Sequence, residues 1–121
     1  MSINCAISLR WDSTPEQQRA LGAALWRWCH RAARSVGMYP YLDNQALADL
    51  LAGRLPASGA TGWGAALPYV QFTVPGDSAR DGEATRESLR RAIPGEGVAE
   101  VCVDGISTRF ADAVSRTPAA V

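Results

Sequence analysis

Lysine does not occur in this chain: all 12 basic residues among its 121 are arginines. Schiff-base chemistry and the phosphate-cradling lysine of a P-loop are therefore excluded. Histidine occurs once, as His30, which excludes HExxH and the other metal motifs built on several histidines. No GxSxG elbow is present, and any serine triad would have to use that one imidazole as its base. The three cysteines, Cys5, Cys29 and Cys102, are odd in number and far apart, a spacing that fits neither a disulfide framework nor a zinc knuckle. They read as reduced thiols. No apolar run approaches the length of a membrane span, and "MSINCAISLR" lacks the basic start and apolar stretch of a secretory signal. The expected location is the cytoplasm.

An excess of either charge is also missing. Twelve acidic residues cancel the arginines, which removes the broad positive field that non-specific binding to nucleic acid or to an anionic membrane requires. The balance conceals a polarity. Through Val36 there are five arginines against Asp12 and Glu16, and the rest of the chain is acidic by the same margin.

What is present is the composition of one folded domain. The hydrophobic fraction is 47% and the charged fraction 20%, ordinary globular values, and 121 residues suit a single core. Residues 1–121 are therefore expected to form one domain. Ile3, Cys5, Ile7, Leu9 and Trp11 alternate with more polar neighbours, the period-two pattern of a strand with one buried face. In "STPEQ", Thr14 is placed to cap a helix, Pro15 to occupy its first position and Gln17 to complete a capping box. From Pro15 to Ser35 the residues Leu21, Ala24, Leu25, Trp28 and Ala32, and then Val36, recur at helical spacing, and Gly37 is placed to end the helix.

Beyond that helix, "GMYPYL" reads as a short extended piece. Asp43 is set to cap a second helix that ends at Gly53, with Leu42 and Leu47 spaced as a hydrophobic staple. "PASGATGWGAALP", between Pro56 and Pro68, reads as a mobile glycine-rich loop. "YVQFTV" forms a second strand confined by its flanking prolines, "GDSARDG" a turn, "EATRESLRRAI" a short amphipathic helix and "VAEVCV" a third strand. At the tail, Asp104-Gly105 is a hairpin signal, yet Ile106, Phe110 and Val114 have helical spacing, and a terminal helix is favoured. This order predicts an α+β two-layer sandwich, with a ferredoxin-like split βαβ arrangement favoured and "GMYPYL" or the tail as the fourth strand. The alternative is a small parallel α/β sheet of thioredoxin-like or flavodoxin-like type.

The stretch "WRWCHRAAR", Trp26 to Arg34, gathers most of the chemically capable residues. Cys29 and His30 are adjacent, but neighbouring helical residues point about a quarter-turn apart, so the pair is poorly placed to act as nucleophile and base. The expectation is a buried thiol beside the apolar stripe and a surface imidazole on a side shared with Arg19, Arg27 and Arg34. Paired carboxylates at Asp12/Glu16 and at Asp77, Asp81 and Glu83 lie beside helix starts, where capping explains them. The loop glycines Gly59, Gly62 and Gly64 sit between helix and strand, the wrong context for a phosphate loop, and "TVPGDSARDG" lacks the dinucleotide fingerprint. No catalytic, cofactor-binding or metal-ligating set is nominated, and no cofactor is expected.

Tryptophan, tyrosine and arginine are instead the residue types enriched at binding hot spots. The interaction candidates are Trp26, Arg27, His30, Arg34, Tyr39, Tyr41 and Trp63. The sequence thus points to a non-enzymatic interaction or regulatory module of the cytoplasm, expected to self-associate as a homodimer and to act on another protein, as an inhibitor for example. The alternative is a small-molecule-binding domain or enzyme whose pocket lies between sheet and helices and uses Tyr39, Tyr41, Cys102 or Asp104. Nucleic-acid binding through Arg27 and Arg34 is a third reading, disfavoured by the zero net charge.

Overall fold

The computed structural model describes residues 2–36, 41–60, 66–104 and 106–109, apart from the side chains of 32–36, 60, 78 and 106–109. The chain begins with β1 (Ser2–Leu9), whose alternation buries Ile3, Cys5, Ile7 and Leu9. Trp11 does not continue the strand. The register shifts between Ser8 and Leu9, the chain turns, and Trp11 is exposed, its indole N–H donating to the Ala66 carbonyl at 3.2 Å.

Helix α1 (Pro15–Val36) starts at the expected capping box. The Gln17 N–H donates to Thr14 Oγ1 at 3.1 Å, and the Thr14 N–H donates to Gln17 Oε1 at 3.0 Å, so two otherwise orphaned donors are satisfied reciprocally. Leu21, Ala24, Leu25 and Trp28 are buried. Strand β2 (Tyr41–Leu42) and helix α2 (Asn44–Leu51) follow. The Asp43 carboxylate accepts from the Gln45 and Ala46 N–H groups, and Gly53 takes the left-handed conformation, φ 75°, just beyond the helix.

The stretch expected to be a loop is partly strand. β3 (Ser58–Ala60) pairs with the first residues of β4 (Ala66–Pro75), and residues 61–65 lie outside the described residues. Pro68 and Pro75 do not confine β4 as expected, because both are within it. Pro68 lies opposite Ser58, and Pro75 lies opposite Ser2 at the strand's end, positions where a missing N–H is tolerated. "GDSARDG" is likewise not a turn. Asp77 caps α3 (Ser78–Ala92) by accepting from the Ala79 N–H, while the Asp81 carboxylate accepts from the Asp77 N–H at 2.9 Å. The cap lies upstream of the start expected at Glu83. Strand β5 (Val98–Val103) agrees with its predicted span. At the tail the hairpin signal prevails over the helical spacing. Asp104 has φ 53°, the conformation such turns require, and β6 (Ile106–Arg109) pairs back on β5. Phe110 and Val114 lie outside the described residues.

The main sheet has the order β2-β4-β1-β5-β6, and every pairing is antiparallel. The α+β class is thereby established, and the parallel alternative is overturned. β1 and β2 are each antiparallel to β4, which lies between them, so the crossover through α1 joins two parallel strands that are not neighbours. Split βαβ units thus occur twice among the described residues, as β1-α1-β2 with β4 between the two strands and as β4-α3-β5 with β1 between them. "GMYPYL" and the tail, offered as alternatives for one further strand, each contribute one. One contiguous core joins Ile3, Ile7, Phe72 and Val101 of the sheet to Leu21, Leu25 and Trp28 of α1, Leu50 of α2 and Leu89 of α3. Trp28 sets its indole edge-on to Phe72, with ring centroids 5.8 Å apart, and its N–H donates to Ser88 Oγ at 2.9 Å.

Candidate functional site

The backbone connection between α1 and α2 builds a cleft. Tyr41 and Leu42 pair with Thr73 and Phe72 at the sheet edge, and the Asp43 N–H donates to the Gln71 carbonyl at 3.1 Å. The start of α2 is thereby anchored beside the second half of α1. The gap between them, about 310 Å³, is lined by Trp26, Cys29 and His30 from α1, Tyr41 and Leu42 from β2, and Asn44 and Leu47 from α2. Trp26, Cys29 and His30 share one side of α1 because they are three and four residues apart.

The lining is aromatic at the mouth and apolar below. Trp26 is 45% and Tyr41 62% exposed, whereas Cys29 and Leu47 are buried and Leu42 packs against the core. The His30 ring lies over the Trp26 indole, with centroids 3.7 Å apart and planes inclined by 33°. His30 Nδ1 is 3.0 Å from the Trp26 carbonyl. A carbonyl only accepts, so Nδ1 carries the hydrogen. Burial pushes the Cys29 thiol up to about 11, so at neutral pH it is protonated and a poor nucleophile. The described lining residues set aromatic rings over an apolar floor, an arrangement suited to holding a side chain or ring.

Of the nominated residues, Trp26, His30 and Tyr41 come together at this cleft. Arg27 is exposed on the adjoining helical position. Tyr39, Trp63 and the side chain of Arg34 lie outside the described residues. His30 is half-buried against Trp26, less exposed than the surface imidazole expected, and it stays three residues along α1 from Arg27. Of Tyr39, Tyr41, Cys102 and Asp104, offered as alternatives for a pocket between sheet and helices, Tyr41 lines the cleft, Tyr39 lies outside the described residues, and Cys102 and Asp104 are elsewhere. Asp104 is at the β5-β6 turn, where its N–H donates to the Asn4 carbonyl at 2.7 Å, and Cys102 is opposite Ala6 on the sheet face remote from the helices.

Two features escaped the sequence reading. Leu42, Asn44 and Leu47 line the cleft, and the staple spacing of Leu42 and Leu47 around the Asp43 cap was the available signal. Glu100 is only 2% exposed and accepts from Ser8 Oγ at 3.4 Å, with Arg109 opposite it in register on β6. Nothing in "VAEVCV" distinguishes that glutamate from a solvated one. Among the described residues there is no group of three or more histidine, cysteine, aspartate or glutamate side chains that could hold a metal ion, and no helix is long and apolar enough to cross a membrane. No protein-family model, curated protein or solved structure matches the chain.

Proposed function

We propose that the protein is a small, non-enzymatic interaction module that docks another protein at the cleft between α1, β2 and α2. The observation that carries this reading is the convergence of Trp26, His30 and Tyr41 around an apolar floor, with two large aromatic side chains left exposed at its mouth. Aromatic anchors around a partly dehydrated pocket are the usual form of a hot spot. At about 310 Å³ the cleft is at the lower limit of small-molecule pockets and suits one or two inserted side chains. The protonated Cys29 thiol supports binding over nucleophilic catalysis.

Self-association at this face is the lesser reading. The free thiols at Cys5, Cys29 and Cys102 support a reducing compartment, the cytoplasm, as its location. The reading is tested by sedimentation equilibrium of the purified chain and by affinity capture with wild-type and Tyr41→Ala protein as baits. A monomer that captures one defined protein, lost in the variant, is the expected result. A partner retained equally by the variant would refute this assignment of the docking surface.

A further inference from the structure

Taking the cleft to be the docking site, we infer that its partner presents an acidic segment carrying one bulky apolar side chain, the side chain entering the cleft and the carboxylates meeting Arg27 and Arg31. Those two arginines are each one residue beyond Trp26 and His30, so they form a parallel row on the neighbouring face of α1. Both are exposed. Elsewhere Arg10, Arg54, Arg80, Arg86 and Arg90 each pair with a carboxylate. Among the described residues no ion pair involves Arg27 or Arg31. The reason is visible in the sequence of α1. The positions three and four away from Arg27 hold Ala23, Ala24, His30 and Arg31, and those from Arg31 hold Arg27, Trp28, Arg34 and Ser35. On α3, by contrast, Glu83 and Glu87 are three residues before Arg86 and Arg90. The only charged neighbours of the pair within its helix are other arginines, and like charges at this spacing destabilise a helix. A helix that retains such a row beside an apolar cleft is complementary to carboxylates supplied from outside.

The floor of the cleft decides between acidic protein and nucleic acid. Cys29, Leu42 and Leu47 offer no strong hydrogen-bonding groups to read a base edge, and one face of the Trp26 indole is already covered by His30, which limits base stacking. An apolar side chain on an acidic backbone meets both halves of the surface, and the Asn44 amide at the rim can pair with a peptide group.

The test is selection of a random peptide library displayed on phage against the purified full chain, followed by titration of the enriched peptides against variants. Enriched peptides are expected to carry acidic residues flanking a bulky apolar residue. Their Kd should rise about tenfold or more in the Arg27→Glu/Arg31→Glu double variant, whose exposed sites leave the fold intact by circular dichroism, and should rise with salt. Enriched peptides that are neutral or basic, or indifferent to the arginine changes yet lost in Tyr41→Ala, would overturn the acidic partner while retaining the docking site. Binding unaffected by Tyr41→Ala, or no enrichment at all, would overturn the docking site itself. Oligothymidylate bound more tightly than any selected peptide would overturn the inference in favour of nucleic acid.

Discussion

Trp26 and Trp28 are two residues apart on one helix, and replacing each by alanine should have sharply different consequences. Trp28 is 7% exposed, packs edge-on against Phe72 and donates to Ser88. An aromatic side chain of this size buries about 200 Å², which at about 25 cal/mol per Å² gives an upper bound of about 5 kcal/mol. Truncation to alanine in a core costs about 3–5 kcal/mol once the cavity is included. Trp26 is 45% exposed, so the same calculation limits its contribution to about half. His30, one turn along the same helix, covers one face of its ring, and alanine is the better helix former, which offsets some of the loss. We expect about 1 kcal/mol for Trp26→Ala against about 4 kcal/mol for Trp28→Ala. Urea unfolding followed by circular dichroism, which does not depend on the removed indole, reads the two midpoints at constant m-value. Equal losses would mean that Trp26 is a core residue and that the cleft is merely a packing defect.

Further outcomes follow from the same geometry. Burial pushes the thiols of Cys5 and Cys29 up to about 12 and about 11, from 9.0 in the unfolded chain. Because the folded-state values are the higher ones, this contribution to stability is complete below pH 9 and is lost as pH rises through 9 towards 11–12. A Cys5→Ala/Cys29→Ala variant should show a flatter decline in its unfolding midpoint over that alkaline range, and an unchanged slope would contradict it. Thiol titration with an aromatic disulfide at neutral pH should label half-buried Cys102 first, with Cys5 and Cys29 reacting only as the fold opens; early modification of Cys29 would count against the packing described. Thr14→Ala removes one half of the capping box and should cost about 1 kcal/mol by thermal unfolding. In Gly97→Ala a left-handed residue, φ 81°, gains a Cβ 2.8 Å from Gln17 Oε1, so its cost of about 1–3 kcal/mol should fall short of additive with Thr14→Ala. Strict additivity would show that the two sites are independent.

The parts of the fold that could be read in advance are those whose signals are local. The Thr14–Gln17 box, the Asp43 cap, the alternation of β1 and the run of β5 all depend on residues a few positions apart, and each takes its expected form. Apart from the start of α3, where the local Asp77 cap was overlooked, the errors arise from pairing across the chain. Ser58–Ala60 has a loop's composition and becomes a strand because β4 extends back to Ala66. Ile106 has helical spacing with the residues after it, but the left-handed turn at Asp104 directs it onto β5. The antiparallel sheet follows from two crossovers that each skip one strand position, β1-α1-β2 over β4 and β4-α3-β5 over β1; element order alone left the parallel alternative open. At the site, helical phase correctly separated Trp28 from Trp26. It could not place His30, because whether that ring meets solvent depends on where β2 and α2 return, and nothing within α1 encodes that.

On the reading proposed above, the cleft, and not the sheet or the core, receives the partner. That reading is most directly tested by following the tryptophan indole N–H resonances of the ¹⁵N-labelled chain while a selected acidic peptide is added. The Trp26 signal is expected to shift with the peptide's own Kd while the buried Trp28 signal, held to Ser88, stays in place. A saturating titration that leaves Trp26 unmoved, or moves Trp11 instead, would contradict it.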